Sequence, residues 1–397
     1  MGSKSDIEWT DASWTPIRAR VKADAAAIAK RKGYTSLVPI AEKMAGHVGP
    51  HCERVSPGCV NCYSEANNSR CLPNNGTGLP FDRRARDLVD MFLDVKLLHE
   101  PQRWRAPKRI FACSQTDLFG EFVPDAFVMR MWGVMGMCQQ HTFQILTKRP
   151  DRMRAWLARW ANLSGEDAGD FRNARGAEAV RQNHPSGRGQ LFAEMLESMG
   201  PPPEGCAYPT FDWAEGMLRW PVVLPNVWLG VSVESQAEAD TRIPLLLQTP
   251  AAMRWISAEP LLSSINLDDG ESSWLTCRAG CSEGSETTCT SFMNFGRCFR
   301  GIDWVVAGGE SGREARPSHP DWLRALRNQC QTASVPFLFK QWGAWAPDEN
   351  FHKMPTRDDA IHEWCNGAGT VLAHSWRYGK KVAGRELDGR EWNEYPA

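Results

Sequence analysis

Lys108-Arg109-Ile110-Phe111-Ala112-Cys113 reads as a short apolar strand that runs straight into a polar cluster, Ser114-Gln115-Thr116-Asp117. Pro124-Asp125 then opens a helix in which Phe127, Val128, Met131, Met135 and Cys138 recur near helical spacing. The same unit comes round again. His141 to Leu146 is a strand ending at Thr147-Lys148-Arg149, and a helix over 151–160 puts Met153, Trp156, Leu157 and Trp160 on one face. Val227 to Val233 ends at Glu234, with a short helix starting at Pro244 and running through Leu247; Met253 to Ser257 ends at Glu259-Pro260. Ile302 to Ala307 breaks at Gly308-Gly309-Glu310-Ser311-Gly312, and Val335 to Phe339 ends at Lys340-Gln341. Between these two, Ser318-His319-Pro320-Asp321 has the form of a capping box, with Trp322, Leu323, Leu326 and Cys330 buried by the helix behind it.

Strand, polar cluster, helix, strand is the rhythm of an α/β fold with a parallel sheet or barrel. In such folds the chemistry sits at the carboxyl ends of the strands, where these polar clusters fall. The expected organisation is a partial or full (β/α) barrel over 1–345, interrupted by insertions at 17–50, 161–225 and 268–300. The first insertion carries an Ala-rich helix from Ala23 to Lys32, and 346–397 is expected as a C-terminal extension packed on the barrel.

The apolar share (42%) and charged share (23%) of the 397 residues are those of a soluble globular protein. No run of 18 apolar residues exists and the first residues lack an apolar signal core, so a cytoplasmic protein with no membrane partner is expected. A net charge of −1 argues against attraction of the whole surface to nucleic acid. Two local basic runs remain: Arg103, Arg105, Lys108 and Arg109, then Lys148, Arg149, Arg152 and Arg154.

Thirteen cysteines in a reducing compartment point to metal rather than disulfides. Cys52, Cys59 and Cys62 lie in HCERVSPGCVNCYSEA with C-x6-C-x2-C spacing, on a loop that Pro57 and Gly58 can fold back. Three thiolates there suit one soft metal centre. A four-iron cluster would keep one iron open; zinc completed by His51, His47 or a distant residue is the alternative, and unligated thiols the third reading. Cys277, Cys281, Cys289 and Cys298 form a second group in a Ser/Thr/Gly-rich insertion, pointing to structural zinc or a second cluster. The scattered Cys71, Cys113, Cys138, Cys206, Cys330 and Cys365 read as small buried apolar residues. Eighteen tryptophans against five tyrosines suggest core packing, or else a stacking surface; Trp9, Trp14, Trp228, Trp304, Trp342 and Trp345 flank the polar motifs.

Several blocks together resemble the phage-associated three-Cys-motif family of phage Gp proteins, which looks like a branch of the radical-SAM superfamily. They are Trp14-Thr15-Pro16, Cys52 to Tyr63, SQTDLF (114–119), LTKRP (146–150), VWLGVSVE (227–234), EPLL (259–262), DWVVAGGESG (303–312) and FKQWG (339–343). The resemblance implies a radical-SAM-like barrel whose first strand is Asp6 to Trp14. It implies a [4Fe-4S] cluster on Cys52, Cys59 and Cys62, with S-adenosylmethionine chelated to the open iron and cleaved to a 5′-deoxyadenosyl radical. A reductant such as flavodoxin or ferredoxin is then a partner, and a nucleic acid or nucleotide the expected substrate for modification or repair. A non-catalytic zinc module of a phage or host nucleic-acid complex is the competing expectation. The chain departs from the superfamily in three places: a first gap of six rather than three, Asn61 where an aromatic usually precedes the last cysteine, and a Gly-Gly-Glu after a late strand.

Cofactor contacts are expected from Tyr63, Ser114, Asp117, Glu234, Gly308, Gly309 and Glu310, and substrate contacts from Lys148, Arg149, Glu259, Lys340 and Gln341. Carboxylates at strand ends hold amino groups, hydroxyls or base edges; cations hold carboxylates or phosphates. Salt bridges bracing the barrel mouth are the plainer account of each. No nucleophile–base pairing stands out, so the catalytic residue is left unassigned.

Overall fold

The computed structural model describes residues 5, 7–71, 75–165, 223–268, 273–275, 301–347 and 360–396. Cys277, Cys281, Cys289, Cys298 and Cys206 lie outside the described residues, as do 166–222 of the second insertion and the side chain of Trp160. The chain divides into two compact units. One holds Met1–Glu53, Asn67–Leu229 and Thr249–Ala252; the other holds Arg54–Ala66, Gly230–Gln248 and Met253–Ala397.

In the first unit the opening strand is shorter than Asp6 to Trp14. It covers only Ala12–Trp14 (β1), because the Thr10 hydroxyl donates to the Ala12 and Arg109 carbonyls and turns the chain before it. Ile17–Val21 (β2), Val48–Gly49 (β3) and Val89–Leu93 (β4) then form a small antiparallel sheet in the order β3-β2-β4. Ala19, Val21, Ile28, Ala29, Leu37, Ala41 and Met44 pack there with Leu79, Leu88 and Val89. The stretch 17–50 thus borrows a third of its buried cluster from residues 79–93. Each aliphatic side chain removed from water contributes about 1.5–3 kcal/mol before chain entropy is charged against it. The Ala-rich helix is Ala25–Arg31.

Arg109–Ala112 (β5) lies parallel between β1 and Thr142–Thr147 (β6), with Ala12 opposite Ile110 and Ile110 opposite Phe143. Helix Asp125–Met137 follows β5 and buries Val128, Met131, Trp132, Val134 and Met135; helix Pro150–Gly165 follows β6 and buries Met153, Trp156 and Leu157. Val227–Ser232 (β7) begins in the first unit and ends in the second.

In the second unit Met253–Ala258 (β8), Trp304–Gly308 (β9) and Phe337–Gln341 (β10) are parallel. Gly230 of β7 is glycine because a Cβ there would lie 2.7 Å from Cδ2 of the buried Trp255 ring. The helix behind β7 spans Gln236–Leu247, not a short turn from Pro244. Ala239, Ile243 and Leu246 carry its buried face, and Pro244 sits inside it. The cap of helix Pro320–Thr332 also differs from the expected box. His319 is the N-cap, its Nδ1 accepting from the Asp321 amide at 3.1 Å, while Ser318 donates to the Leu261 carbonyl.

Trp345–Pro347 (β11), Ile361–Cys365 (β12) and Val371–Arg377 (β13) form an antiparallel sheet in the order β11-β13-β12. The last residues return to β10: the Phe339 amide donates to the Trp392 carbonyl and the Glu394 amide to the Phe337 carbonyl. Strand alternation turns Cys365 outward, so it is exposed rather than buried; Cys71 is half-buried, and Cys113, Cys138 and Cys330 are core residues as expected.

The principal sheet has the order β1-β5-β6-β7-β8-β9-β10, a mixed α/β arrangement consistent with a barrel-like fold. Tryptophan serves it as core: Trp9, Trp14, Trp255, Trp304 and Trp342 are all buried. Among the described residues no helix is long and apolar enough to cross a membrane.

Candidate functional site

Cys52 stands in the first unit between two residues whose carbonyls are tied to side chains just past β5 and β6. The carbonyl of His51 accepts the Thr116 hydroxyl at 2.5 Å, and the carbonyl of Glu53 accepts Arg149 Nη2 at 3.2 Å. Arg149 is itself buried and pairs with Asp117, Nη1 to Oδ2 at 3.0 Å. Asp117 is saturated. It also accepts the Thr147 hydroxyl at 2.7 Å and the amides of Lys148 (3.1 Å) and Phe119 (3.0 Å). A lone buried charge would cost several kcal/mol, so the pairing of Asp117 with Arg149 is what permits both to sit inside. Burial lowers the Arg149 pKa, but the negative charges of Asp117 and Cys52 outweigh it and raise it overall.

The Glu53 carboxylate is buried and held by Arg86 at 2.5 and 2.7 Å. Burial pushes its pKa up, but His51 and Arg86 beside it hold it at about 2. His51 is packed edge-on to Phe122 at 4.9 Å, with its Nε2 3.7 Å from Glu53, too far for a hydrogen bond. Cys113, just past β5, has φ of 59° and a thiol whose pKa burial, Asp117 and Cys52 all raise.

Cys59 and Cys62 belong to the second unit, on a turn that β7 and β9 hold. A 3₁₀ turn covers Pro57–Cys59, and Cys62 directly precedes helix Tyr63–Ser69. Ser56 donates to Glu234 Oε1 at 2.7 Å, while Arg242 donates to Glu234 Oε2 at 2.8 Å. Glu234 is fully buried, and the loop passes so close to it that a Cβ on Gly58 would lie 2.7 Å from its Cδ. Only glycine fits.

The second anchor is Glu310. It accepts the Arg316 amide and Nε at 2.8 Å each, Arg316 Nη2 at 2.6 Å and Asn61 Nδ2 at 3.0 Å. Arg316 continues to the Pro57 carbonyl at 3.2 Å, and Asn61 to the Glu314 carbonyl at 2.6 Å. Burial raises the Glu310 pKa, yet the hydrogen bonds from Arg316 and Asn61 bring it below the ordinary value. Around Cys62 burial pushes the thiol pKa up, and the backbone N–H groups of Glu65 and Ser64 only partly offset it. Cys52, Cys59 and Cys62 are all half-buried.

The glycines after β9 serve chain crossing. A Cβ on Gly309 would lie 2.6 Å from the Trp342 carbonyl carbon, and Gly312 takes the left-handed φ of 117°. Gln341 is buried, its amide donating to Ser311 (3.0 Å) and the Gly309 carbonyl (3.3 Å). Lys340 reaches Glu259 at 2.5 Å. Tyr63 is 52% exposed, and Ser114 stands 3.4 Å from the Thr15 hydroxyl.

Asp117, Glu234 and Glu310 therefore hold protein groups, as does Arg149. Ser56, Glu53, Arg86, Arg242 and Arg316 were not singled out in the sequence, and Asn61 was marked only as a departure from the resembled pattern. Arg316 had one legible signal, an arginine six residues beyond the Gly-Gly-Glu. Among the described residues no three His, Cys, Asp or Glu side chains stand together so as to hold a metal ion.

Fold and site together define a class: an α/β protein with a barrel-like parallel sheet whose strand-end polar groups grip a cysteine-bearing loop. More particularly, residues 43–396 match a family described as a protein of unknown function (DUF5131), and the chain belongs to that family. No curated protein and no solved structure matches it.

Proposed function

We propose that the chain is a radical-SAM-type iron–sulfur enzyme whose [4Fe-4S] cluster is ligated by Cys52, Cys59 and Cys62 and whose substrate is a nucleic acid or nucleotide. One observation carries this: in the second unit the turn bearing Cys59 and Cys62 is held by two ion pairs with buried carboxylates, Glu234–Arg242 through Ser56 and Glu310–Arg316 through Asn61. Buried pairs are weak contributors to stability, so their repetition along one short loop argues for holding it in place. The donors fit a soft metal centre in chemistry: three half-buried thiols, with backbone N–H groups directed at the Cys62 sulfur. When bound with S-adenosylmethionine, such a cluster supplies the electron that cleaves the sulfonium.

The chain's own residues orient and shield. Glu234 and Glu310 set the turn bearing Cys59 and Cys62, and Arg149 sets the residue after Cys52. The Lys340–Glu259 pair, part-buried at the ends of β10 and β8, is left to meet substrate. Electrons come from a low-potential carrier of the flavodoxin or ferredoxin kind. Trp9, Trp14, Trp304 and Trp342, beside the polar motifs, are buried and lend no support to a stacking surface there, so the nucleic-acid half rests on the basic runs.

The test is anaerobic purification, reconstitution with iron and sulfide, reduction, and addition of S-adenosylmethionine. About four irons per chain and release of 5′-deoxyadenosine are expected, with Cys59→Ala losing the iron. Stoichiometric zinc instead, with no cleavage by the reduced protein, would establish the zinc-module alternative.

A further inference from the structure

Of the two basic runs, the structure ties Arg149 and Arg152 of one to protein groups and leaves Arg103 and Arg105 of the other outside. Arg149 is buried on Asp117, and Arg152 is tied to Asp125 at 2.9 Å and the Val123 carbonyl at 2.6 Å. The other run behaves differently. Arg109 pairs with Asp11, but Arg103 and Arg105 are exposed and, among the described residues, make no hydrogen bond or ion pair. Lys108 lies 5.7 Å above the ring of half-buried Trp104, which meets His141 edge-on at 5.9 Å.

The neighbourhood extends this character. Within 95–109 five cations (Lys96, Arg103, Arg105, Lys108, Arg109) face one acid, Glu100, in a chain whose net charge is −1. The nearby Asp94 is occupied, its carboxylate accepting the amides of Lys96 and Leu97. Earlier in the same unit exposed Arg20 lies 5.0 Å over the half-buried Phe92 ring. Cations alternating with aromatic rings suit a chain of phosphates that carries flat bases.

We propose that Arg103, Trp104, Arg105 and Lys108 form a binding surface for single-stranded nucleic acid, the three cations neutralising phosphates and the Trp104 ring offering apolar surface between them. This deepens the nucleic-acid half of the proposed function and is independent of the cluster half. An acidic polypeptide is a different partner that the same cations would attract, and the rings favour nucleic acid over it.

The experiment titrates the full chain, as purified, into fluorescein-labelled single strands of about 16 nucleotides, DNA and RNA separately, followed by anisotropy between about 50 and 200 mM KCl. Binding that weakens with salt is expected. The reversal R103E/R105E/K108E should lower the log–log salt slope by about 2 and weaken binding at least about tenfold. Trp104→Ala should cost about tenfold with the slope unchanged. Lys43→Glu and Lys381→Glu, exposed cations elsewhere, should match the parent, and urea midpoints certify that every variant is folded. The proposal is overturned if the parent binds neither strand at the lowest salt, if the reversal leaves affinity and slope intact, or if polyglutamate competes as well as unlabelled oligonucleotide. Failure here leaves the iron measurement standing, and loss of the iron reading leaves this surface standing.

Discussion

Replacing Gly58 by alanine tests whether the cysteine turn is held by close contact with Glu234. Gly58 does not adopt a positive φ, so alanine carries no backbone strain. On chain entropy alone the change would stabilise by about 0.4–1 kcal/mol. The added Cβ, however, would lie 2.7 Å from Glu234 Cδ, where ordinary contact begins near 3.4 Å. Glu234 Cγ and Oε1 would lie closer still, so the two must part by at least about 0.7 Å, and Glu234 is poorly placed to yield, being fully buried between Ser56 and Arg242. Overpacking of this kind costs about 1–3 kcal/mol, so a net loss of about 1–2 kcal/mol is expected in urea unfolding. The decisive comparison is the same substitution in a Glu234→Ala/Arg242→Leu background, which empties the space without stranding a buried arginine. There Gly58→Ala should be neutral or stabilising, a reversal of sign. Equal costs in both backgrounds would refute the contact, and with it the assignment of Glu234 to holding the turn. Maleimide labelling of Cys59 supplies a second readout, since displacing the turn should change its rate relative to Cys365.

Asp117→Asn leaves Arg149 charged and buried without its partner, and should lower stability by about 3–5 kcal/mol; a loss below 1 kcal/mol in urea unfolding contradicts the buried pair. Gly343 combines φ of 85° with a Cβ position 2.6 Å from the Glu310 carbonyl carbon, so Gly343→Ala should leave little soluble protein on expression. Glu310 has a depressed pKa, so its contribution is complete above the ordinary carboxylate value of 4.5 and fades as pH falls below it. Urea midpoints at about pH 7 and pH 4 should therefore converge in Glu310→Gln relative to the parent; an unchanged difference would remove Glu310 from the acid response.

The strands were legible because each is an apolar run closed by a polar cluster, and β5 to β10 fall within two residues of where that pattern puts them. The helix Gln236–Leu247 was not, because Pro244 reads as a helix start while Ala239, Ile243 and Leu246 already mark the buried face. Tertiary burial of that face overrode the local signal. The strand-end polar residues were legible as a group and illegible in their partners. Asn61 meets Glu310 across 249 residues and Ser56 meets Glu234 across 178, separations that no spacing rule spans. A carboxylate at a strand end looks the same in sequence whether it awaits a ligand or holds a loop. What separates the two cases is saturation. Glu310 accepts four donors, and Asp117 four, which leaves few lone pairs for a cofactor. Asn61, the residue before the last cysteine of the turn, uses its amide to bridge Glu310 and the Glu314 carbonyl. A phenyl ring there could supply neither hydrogen bond. In this chain the asparagine before the last cysteine and the glutamate of Gly308-Gly309-Glu310 are thus two halves of a single anchor for the turn.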